Sequence, residues 1–125
     1  DIHAWIDWRR WNANEIMRFI RAFDDPYMGA RTTVNKQSIR LKEATLTSDS
    51  ANYHPFQSGL IVRKHNNQVM ICCCDGIVAI SKVTDDHGND LIESLNIGDR
   101  LFTPEDEIEK ALNYSAVYDS SGLKE

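Results

Sequence analysis

Residues 6–30 read IDWRRWNANEIMRFIRAFDDPYMGA, and this stretch decides how the chain begins to fold. Asn12 suits the N-cap of a helix, and Glu15, three residues later, can return a hydrogen bond to the Asn12 amide in a capping box. Pro26 disfavours helical geometry at the residue before it, so the helix is expected to end there. Four apolar residues recur at three- and four-residue steps on one face: Ile16, Phe19, Ile20 and Phe23. The stretch therefore predicts a short amphipathic helix with a defined start and end.

Downstream of this helix the chain reads as short strands separated by turns. Alternating side chains predict strands at residues 39–46, 60–62 and 69–73, and a run that favours extended structure predicts one at residues 30–35. A further strand is predicted at residues 77–83. Asp75-Gly76 is the strongest turn signal and predicts a type I′ turn, with further turns at residues 35–37 and 65–67. A second helix is expected after Thr103, with proline at its first position. The chain is therefore expected to be mainly β, a small antiparallel barrel with an N-terminal helix and a C-terminal helix.

The composition is that of an ordinary soluble domain. The 125 residues are 42% hydrophobic and 26% charged, without the run of about 18 apolar residues that a membrane span needs and without a leader peptide. We therefore expect a cytoplasmic protein with no membrane partner. The net charge is −5, but residues 1–47 contain eight Lys or Arg against six Asp or Glu, whereas residues 85–125 contain three against eleven. Because nucleic-acid affinity depends on cations that neutralise phosphates, the acidic second part argues against tRNA as a partner.

All three cysteines are consecutive, at positions 72, 73 and 74. Neighbouring side chains on a strand point to opposite faces, so these thiols cannot form disulfides with one another there. A structural zinc site needs ligands from two separated pairs, and a reactive thiol needs a nearby cation or helix N-terminus. Neither is evident, so packing as small apolar side chains is the favoured interpretation, and no metal site is predicted.

Three segments are expected along the chain. Residues 1–11 are predicted to be a linker-like, tryptophan-rich segment, residues 12–119 the barrel domain and residues 120–125 a frayed tail. Trp5, Trp8 and Trp11 recur at steps of three. Two interpretations stay open: the rings form a flat docking surface, or they anchor the N-terminal segment. The polar stretch 47–58 is expected to be a surface connection, with a ligand-facing lid as the alternative.

Four short runs occur in a distinctive order near the N-terminus. They are Ile6-Asp7-Trp8, Ile20-Arg21-Ala22-Phe23, Asp25-Pro26-Tyr27 and Gly29-Ala30. Their order and spacing resemble the start of the C-terminal domain of the methionyl-tRNA formyltransferase family, which includes the sugar-nucleotide N-formyltransferases. The resemblance continues through residues 39–46 and 74–80, whereas residues 98–104 differ from the ending of the tRNA enzymes. It implies that the barrel is open and OB-like.

The resemblance implies a function for a larger enzyme of which this domain is a part. The family transfers a formyl group from 10-formyltetrahydrofolate to an amine, with Asn, His and Asp residues of an N-terminal catalytic domain. This chain contains no such domain, no phosphate-binding glycine loop and no nucleophile with a suitable base, so no catalytic residue is predicted. It is expected to be a non-catalytic domain that positions the amine acceptor or stabilises the catalytic domain. The net charge favours a small amine or nucleotide-linked amino sugar over methionyl-tRNA as the acceptor.

The predicted substrate-binding or interdomain residues come from the same stretch. They are Trp5, Asp7 and Trp8 at the interdomain edge, with Arg21 and Tyr27 close behind. For Arg21 the alternative is a simple ion pair with Asp24 or Asp25.

Two hypotheses from other classes also fit the sequence. A free-standing OB-like module would bind single-stranded nucleic acid through stacking aromatic residues and a basic groove. A dimerisation domain would bury an exposed apolar patch around the tryptophans.

Overall fold

Six strands form one antiparallel sheet in the computed structural model, which describes residues 4–47, 58–110 and 112. The strands are β1 (Ala30–Val34), β2 (Gln37–Leu46), β3 (Ile61–His65), β4 (Gln68–Cys72), β5 (Ile77–Thr84) and β6 (Leu101–Phe102). Their order across the sheet is β3-β4-β5-β2-β1-β6. At the two edges, the Leu101 amide donates to the carbonyl of Gly59, next to β3, at 2.7 Å. The sheet is therefore curled into a partly closed barrel, which confirms the predicted fold class.

Helix α1 spans Ala13–Ala22 and has the predicted capping box. The Glu15 amide donates to Asn12 Oδ1 at 2.8 Å, and the Asn12 amide donates to Glu15 Oε1 at 2.9 Å. Ile16 and Ile20 are completely buried in the core that α1 shares with the sheet. The local sequence therefore fixes both the start of this helix and the face by which it packs.

The hairpin turns differ from the prediction at one position. The residue pairs 35–36 and 66–67 have positive φ values, 50° and 68° in the first and 50° and 61° in the second, as type I′ turns require. The prediction of a type I′ turn at Asp75-Gly76 is wrong, because neither residue has a positive φ. Asp75 instead accepts a 2.8 Å hydrogen bond from the Ala13 amide, so this loop supports the first turn of α1.

Residues 4–8 of the segment 1–11, which was predicted to be linker-like, are buried. Ile6 is completely buried and Trp8 is 3% exposed. The Arg31 amide donates to the Ala4 carbonyl at 2.7 Å and the Ile6 amide donates to the Arg31 carbonyl at 2.9 Å, so the segment runs beside β1. Residues 4–8 therefore pack with the barrel, and the boundary at residue 12 stays a prediction.

A second helix, α2, begins at residue 105, one residue later than predicted, and residues 105–110 and 112 of it are described. The carbonyl of Pro104 accepts a hydrogen bond from the Ile108 amide at 3.4 Å. The predicted tail 120–125 and most of the polar stretch 47–58 lie outside the described residues. Among the helices of the described ranges, none is long and apolar enough to cross a membrane.

Two pairs of like charges face each other across neighbouring strands. Arg31 on β1 lies opposite Arg40 on β2, and Lys42 on β2 lies opposite Lys82 on β5. Like charges placed directly opposite one another in a sheet are destabilising. The sheet therefore needs anions close to both pairs.

In each pair, one of the two cations forms an ion pair with an aspartate. Asp86 Oδ1 accepts a hydrogen bond from Arg40 Nε at 3.0 Å, and Asp25 Oδ1 accepts one from Lys42 Nζ at 2.5 Å. The hydrogen bond from Lys42 and its charge, together with the charge of Lys82, hold the pKa of Asp25 below its usual range. Both carboxylates belong to segments that connect the main elements, so the charge pairs also tie those segments to the sheet.

We expect Asp86→Asn to lower the free energy of unfolding at pH 7 by about 0.5–1 kcal/mol, because the pair with Arg40 is partly exposed. Burial alone would raise the pKa of Asp86, but hydrogen bonding and charge from Arg40 lower it below its usual range. The ionised carboxylate therefore stabilises the fold above its ordinary pKa, and this contribution disappears as the pH falls through the lowered value. Urea unfolding at pH 7 and pH 3 measures both effects.

The matched control for this variant is Glu109→Gln, which removes one negative charge from an exposed position on α2. It is expected to change the free energy of unfolding very little at either pH. If Asp86→Asn destabilised the protein equally at pH 3 and pH 7, the ion pair would not be the cause.

Candidate functional site

Trp5 is held beneath a cation at the start of the described chain. The guanidinium carbon of Arg31 lies 4.1 Å from the Trp5 ring centroid, and Trp5 is 7% exposed. This geometry is a cation–π contact, and it uses the face that a docking partner would need. Trp5 therefore anchors the N-terminal segment to β1 and does not present an open stacking surface.

Asp7 organises the turn that follows. Its Oδ1 accepts hydrogen bonds from the amides of Arg9 at 3.2 Å and Arg10 at 3.1 Å, and its Oδ2 accepts one from Arg10 Nη1 at 3.0 Å. Arg10 also binds Glu105 at the start of α2, at 2.5 Å. Asp7 is 4% exposed and its acceptor sites are engaged, so its role here is to position the arginines.

Trp8 links the N-terminal segment to both edges of the sheet. Its Nε1 donates to Thr32 Oγ1 at 2.9 Å, and the hydroxyl groups of Thr32 and Thr103 are 3.1 Å apart. The Ser58 hydroxyl donates to the Trp8 carbonyl. These bonds satisfy the polar groups around a ring that is otherwise buried.

Asp7 and Trp8 line a cleft of about 260 Å³ at this edge of the barrel. Arg9, the next residue in the chain, also lines it. The other lining residues come from two further places, Ser58 and the C-terminal part of the described chain, which contributes Arg100, Leu101, Phe102, Thr103 and Ile108. Arg9, Arg100 and Phe102 are exposed. The cleft thus combines a buried floor with a rim that carries two guanidinium groups and one aromatic ring.

Arg21 and Tyr27 are not brought together with the other predicted residues, and neither lines this cleft. Arg21 Nε donates to the Ala44 carbonyl on β2 at 3.2 Å. The alternative of an ion pair between Arg21 and Asp24 or Asp25 is not what the structure has, because Asp24 accepts from a backbone amide of β2 and Asp25 binds Lys42.

Tyr27 lies away from the cleft and is exposed together with its neighbour Met28. Their side chains are 60% and 53% exposed. They line two shallow grooves, one shared with Arg40 and the other with Lys42 and Lys82. The predicted residues therefore lie in separate places: Trp5, Asp7 and Trp8 at the N-terminal edge, and Arg21 and Tyr27 away from it. Arg21 contacts β2, and Tyr27 lines the two grooves near β2 and β5.

The cysteines do not form a site in the described structure. Cys72 and Cys73 are buried, and Cys74 Sγ lies 3.6 Å from the Trp11 carbonyl. Burial raises the pKa of Cys72 to about 11 and raises that of Cys73 further, so both thiols stay protonated at neutral pH. No group of three His, Cys, Asp or Glu side chains that could hold a metal ion occurs within residues 4–47, 58–110 and 112.

A family model described as the formyl transferase C-terminal domain matches residues 2–96. The chain belongs to this family. The methionyl-tRNA formyltransferase of Dechloromonas aromatica (strain RCB) is 29% identical over 108 residues, which cover 81% of this chain and 33% of that protein. The methionyl-tRNA formyltransferase of Blochmanniella floridana is 33% identical over 81 residues, covering 62% of this chain and 24% of that protein. The chain thus spans about a third of the length of the first relative and about a quarter of the second.

Among solved structures, a variant of HypX from Aquifex aeolicus resembles this formyl transferase C-terminal domain with a TM-score of 0.56 at 20% identity. The likeness covers 66% of this chain and 14% of that chain. At this identity it concerns the fold alone.

The cleft is lined by residues inside the family match and by residues beyond its end. Asp7, Trp8 and Ser58 lie within residues 2–96, whereas Arg100 and Phe102 lie beyond them. Sequence reasoning missed Ser58, Arg100 and Phe102 as members of this edge. The only available signal was that residues 98–104 depart from the ending of the tRNA enzymes.

Proposed function

We propose that this chain is the non-catalytic C-terminal domain of a cytoplasmic formyltransferase that uses 10-formyltetrahydrofolate. Its partners are an N-terminal catalytic domain of the same enzyme and an amine acceptor. The domain carries no catalytic residue in this proposal, and its contribution is to hold the catalytic domain and the acceptor in a productive geometry.

The observation that carries the proposal is the family match together with the packing of residues 4–8. A flexible linker would leave these residues exposed, but Ile6 and Trp8 are core residues and Asp7 is bonded through both carboxylate oxygens. A segment built into the core in this way transmits the orientation of the domain to whatever precedes it. Such rigidity is useful to a domain that positions a substrate and is unnecessary in a simple tether.

Two acceptor classes remain to be compared. The net charge of −5 favours a small amine or a nucleotide-linked amino sugar. Methionyl-tRNA is the second candidate, and the names of the two relatives support it. The two like-charge pairs of the sheet give it little support, because Asp86 and Asp25 already neutralise part of their charge.

The mass of the native protein, detected with an antibody to this domain, tests the proposal first. A mass at least twice the 14.3 kDa of this chain is expected. The full-length enzyme would then be assayed for formyl transfer from 10-formyltetrahydrofolate to a nucleotide-linked amino sugar and to methionyl-tRNA, with and without this domain. A native mass of 14.3 kDa would contradict the proposal and favour a free-standing binding module or a dimerisation domain.

A further inference from the structure

Three consecutive side chains are exposed where the chain leads from α1 into β1. They are Pro26, Tyr27 and Met28, and they are called the 26–28 patch below. Tyr27 and Met28 together line both grooves beside β2 and β5, which measure about 330 and 200 Å³. Aromatic and methionine side chains are enriched at protein interfaces. The patch therefore has the composition and the shape of a contact surface.

The backbone that carries the 26–28 patch is fixed by hydrogen bonds of the residues before it. Asp25 Oδ1 accepts a hydrogen bond from Lys42 Nζ at 2.5 Å, and Asp24 Oδ2 accepts one from the Glu43 amide at 2.9 Å. The Tyr27 amide donates to the Asp24 carbonyl at 2.9 Å. A surface that is already ordered loses little conformational entropy on binding, so even a small patch can support a contact.

Lys82 adds positive charge beside the patch. It is exposed, it lines the smaller groove with Tyr27 and Met28, and it lies directly opposite Lys42 across β5 and β2. The two lysines act on one aspartate, Asp25, so the three groups together carry one net positive charge. Like charges placed opposite one another in a sheet cost stability. A partner's carboxylate at this groove would offset that cost.

The N-terminal segment reaches the barrel close to the same patch. It runs parallel to the start of β1, where the Arg31 amide donates to the Ala4 carbonyl at 2.7 Å and the Ile6 amide donates to the Arg31 carbonyl at 2.9 Å. Ala4 therefore lies at the end of β1 that begins two residues after Met28. In the proposed function a catalytic domain precedes this chain, so that domain would be joined to the barrel near the patch. Such a short tether gives a high effective concentration, and a contact of modest area is then sufficient.

We propose that the 26–28 patch and Lys82 form the surface on which the catalytic domain of the same enzyme docks. The docking segment would place an apolar side chain against Tyr27 and Met28 and a carboxylate at Lys82. This inference rests on the proposed function, which supplies the preceding domain. Contacts between domains of one chain are more polar than those of obligate complexes, which suits a surface that combines apolar side chains with a charge. RNA is a less suitable occupant, because its affinity depends on several cations that neutralise successive phosphates.

Hydroxyl-radical footprinting with mass spectrometry tests the inference by comparing the 125-residue chain with the full-length enzyme. Tyr27 and Met28 are expected to be oxidised readily in the chain alone, because both are exposed, and to lose that reactivity in the full-length enzyme. Ile97, which is 63% exposed in the loop beside β3, is the internal control. It is expected to react equally in both proteins.

The variant Lys82→Glu separates docking from stability. In the 125-residue chain its melting temperature is expected to be at least that of the parent, because an opposite-charge pair with Lys42 replaces a like-charge pair. In the full-length enzyme the oxidation rate of Met28 follows the undocked fraction. We expect that rate to rise about fivefold, the factor that corresponds to the loss of one partly exposed ion pair. Lys36→Glu, the same charge reversal in the exposed β1–β2 turn, is the matched control and is expected to leave the rate unchanged.

Several results would overturn the inference. They are a Met28 that is as reactive in the full-length enzyme as in the chain alone, equal protection of Ile97, and equal effects of Lys82→Glu and Lys36→Glu. Protection of Met28 only after transfer RNA is added would identify an RNA-binding surface instead. Protection of Met28 in the 125-residue chain as its concentration is raised would identify a second copy as the occupant.

Failure of this inference and failure of the proposed function are separate results. A native mass of 14.3 kDa would contradict the proposed function itself. A reactive Met28 in a larger enzyme that transfers formyl groups would contradict only the docking surface.

Discussion

Replacing Gly59 with alanine is expected to destabilise the domain by about 3 kcal/mol or more, a large part of the 5–15 kcal/mol typical of a folded domain. A Cβ at this position would lie 2.3 Å from the Leu101 carbonyl oxygen. Gly59 has φ +91° and cannot move away easily, because its amide donates to the Cys72 carbonyl and its carbonyl accepts from the Leu101 amide, each at 2.7 Å. Urea unfolding followed by tryptophan fluorescence measures the loss.

Gly98→Ala is the matched control for Gly59→Ala. Gly98 has φ +96°, close to that of Gly59, but a Cβ there would meet nothing within 4 Å. Only the backbone strain of a left-handed alanine is expected, about 1–2 kcal/mol. If the two variants lost the same stability, the contact between Gly59 and Leu101 would not be tight, and the two edges of the barrel would not be joined as described.

Much of the fold follows from local sequence. The capping box at Asn12 and the alternation within residues 39–46 are short-range signals, and they predict α1 and β2, which the structure has. Turns were harder to assign, because Asp75-Gly76 carries the strongest local signal for type I′ geometry. The carboxylate of Asp75 is instead used by the Ala13 amide, a contact across 62 positions that no local pattern contains.

The burial of the N-terminal segment could not be predicted for the same reason. Tryptophans at steps of three describe a flat docking surface as well as they describe anchors. What decides between these alternatives is Arg31 over Trp5 and Thr32 beside Trp8, and both partners lie on β1, beyond the intervening helix. Local sequence patterns contain no signal for contacts between residues so far apart in the chain.

Asp7 and Trp8 line the cleft, and the contacts of Asp7 indicate a positioning role. A role for these residues in substrate binding or at an interdomain contact stays a prediction. Arg100 and Phe102 were missed because they join the cleft only when β6 pairs with β1. Arg100 and Phe102 lie outside the family match, which ends at residue 96. They contribute a guanidinium group and an aromatic ring to the rim of the cleft.

Trp8→Ala is expected to destabilise the domain by about 3–5 kcal/mol, the range for removing a buried tryptophan from a core. The ring is 3% exposed and its Nε1 donates to Thr32 Oγ1 at 2.9 Å. Trp8→Phe keeps much of the apolar volume but loses this donor, so a smaller loss of about 1–2 kcal/mol is expected. Urea unfolding monitored by far-ultraviolet circular dichroism is the appropriate measurement, because both variants remove a fluorescent reporter.

Trp11→Ala is the matched control, since it removes the same side chain three positions later. Trp11 is only partly buried, and its ring contacts Phe19 at a centroid distance of 4.7 Å. A loss clearly smaller than that of Trp8→Ala is expected. If Trp8→Ala were as stable as the parent chain, the ring would be a docking surface and not an anchor. Residues 4–8 would then be free to move as a linker, and the argument that this domain orients a catalytic domain through a rigid segment would fail.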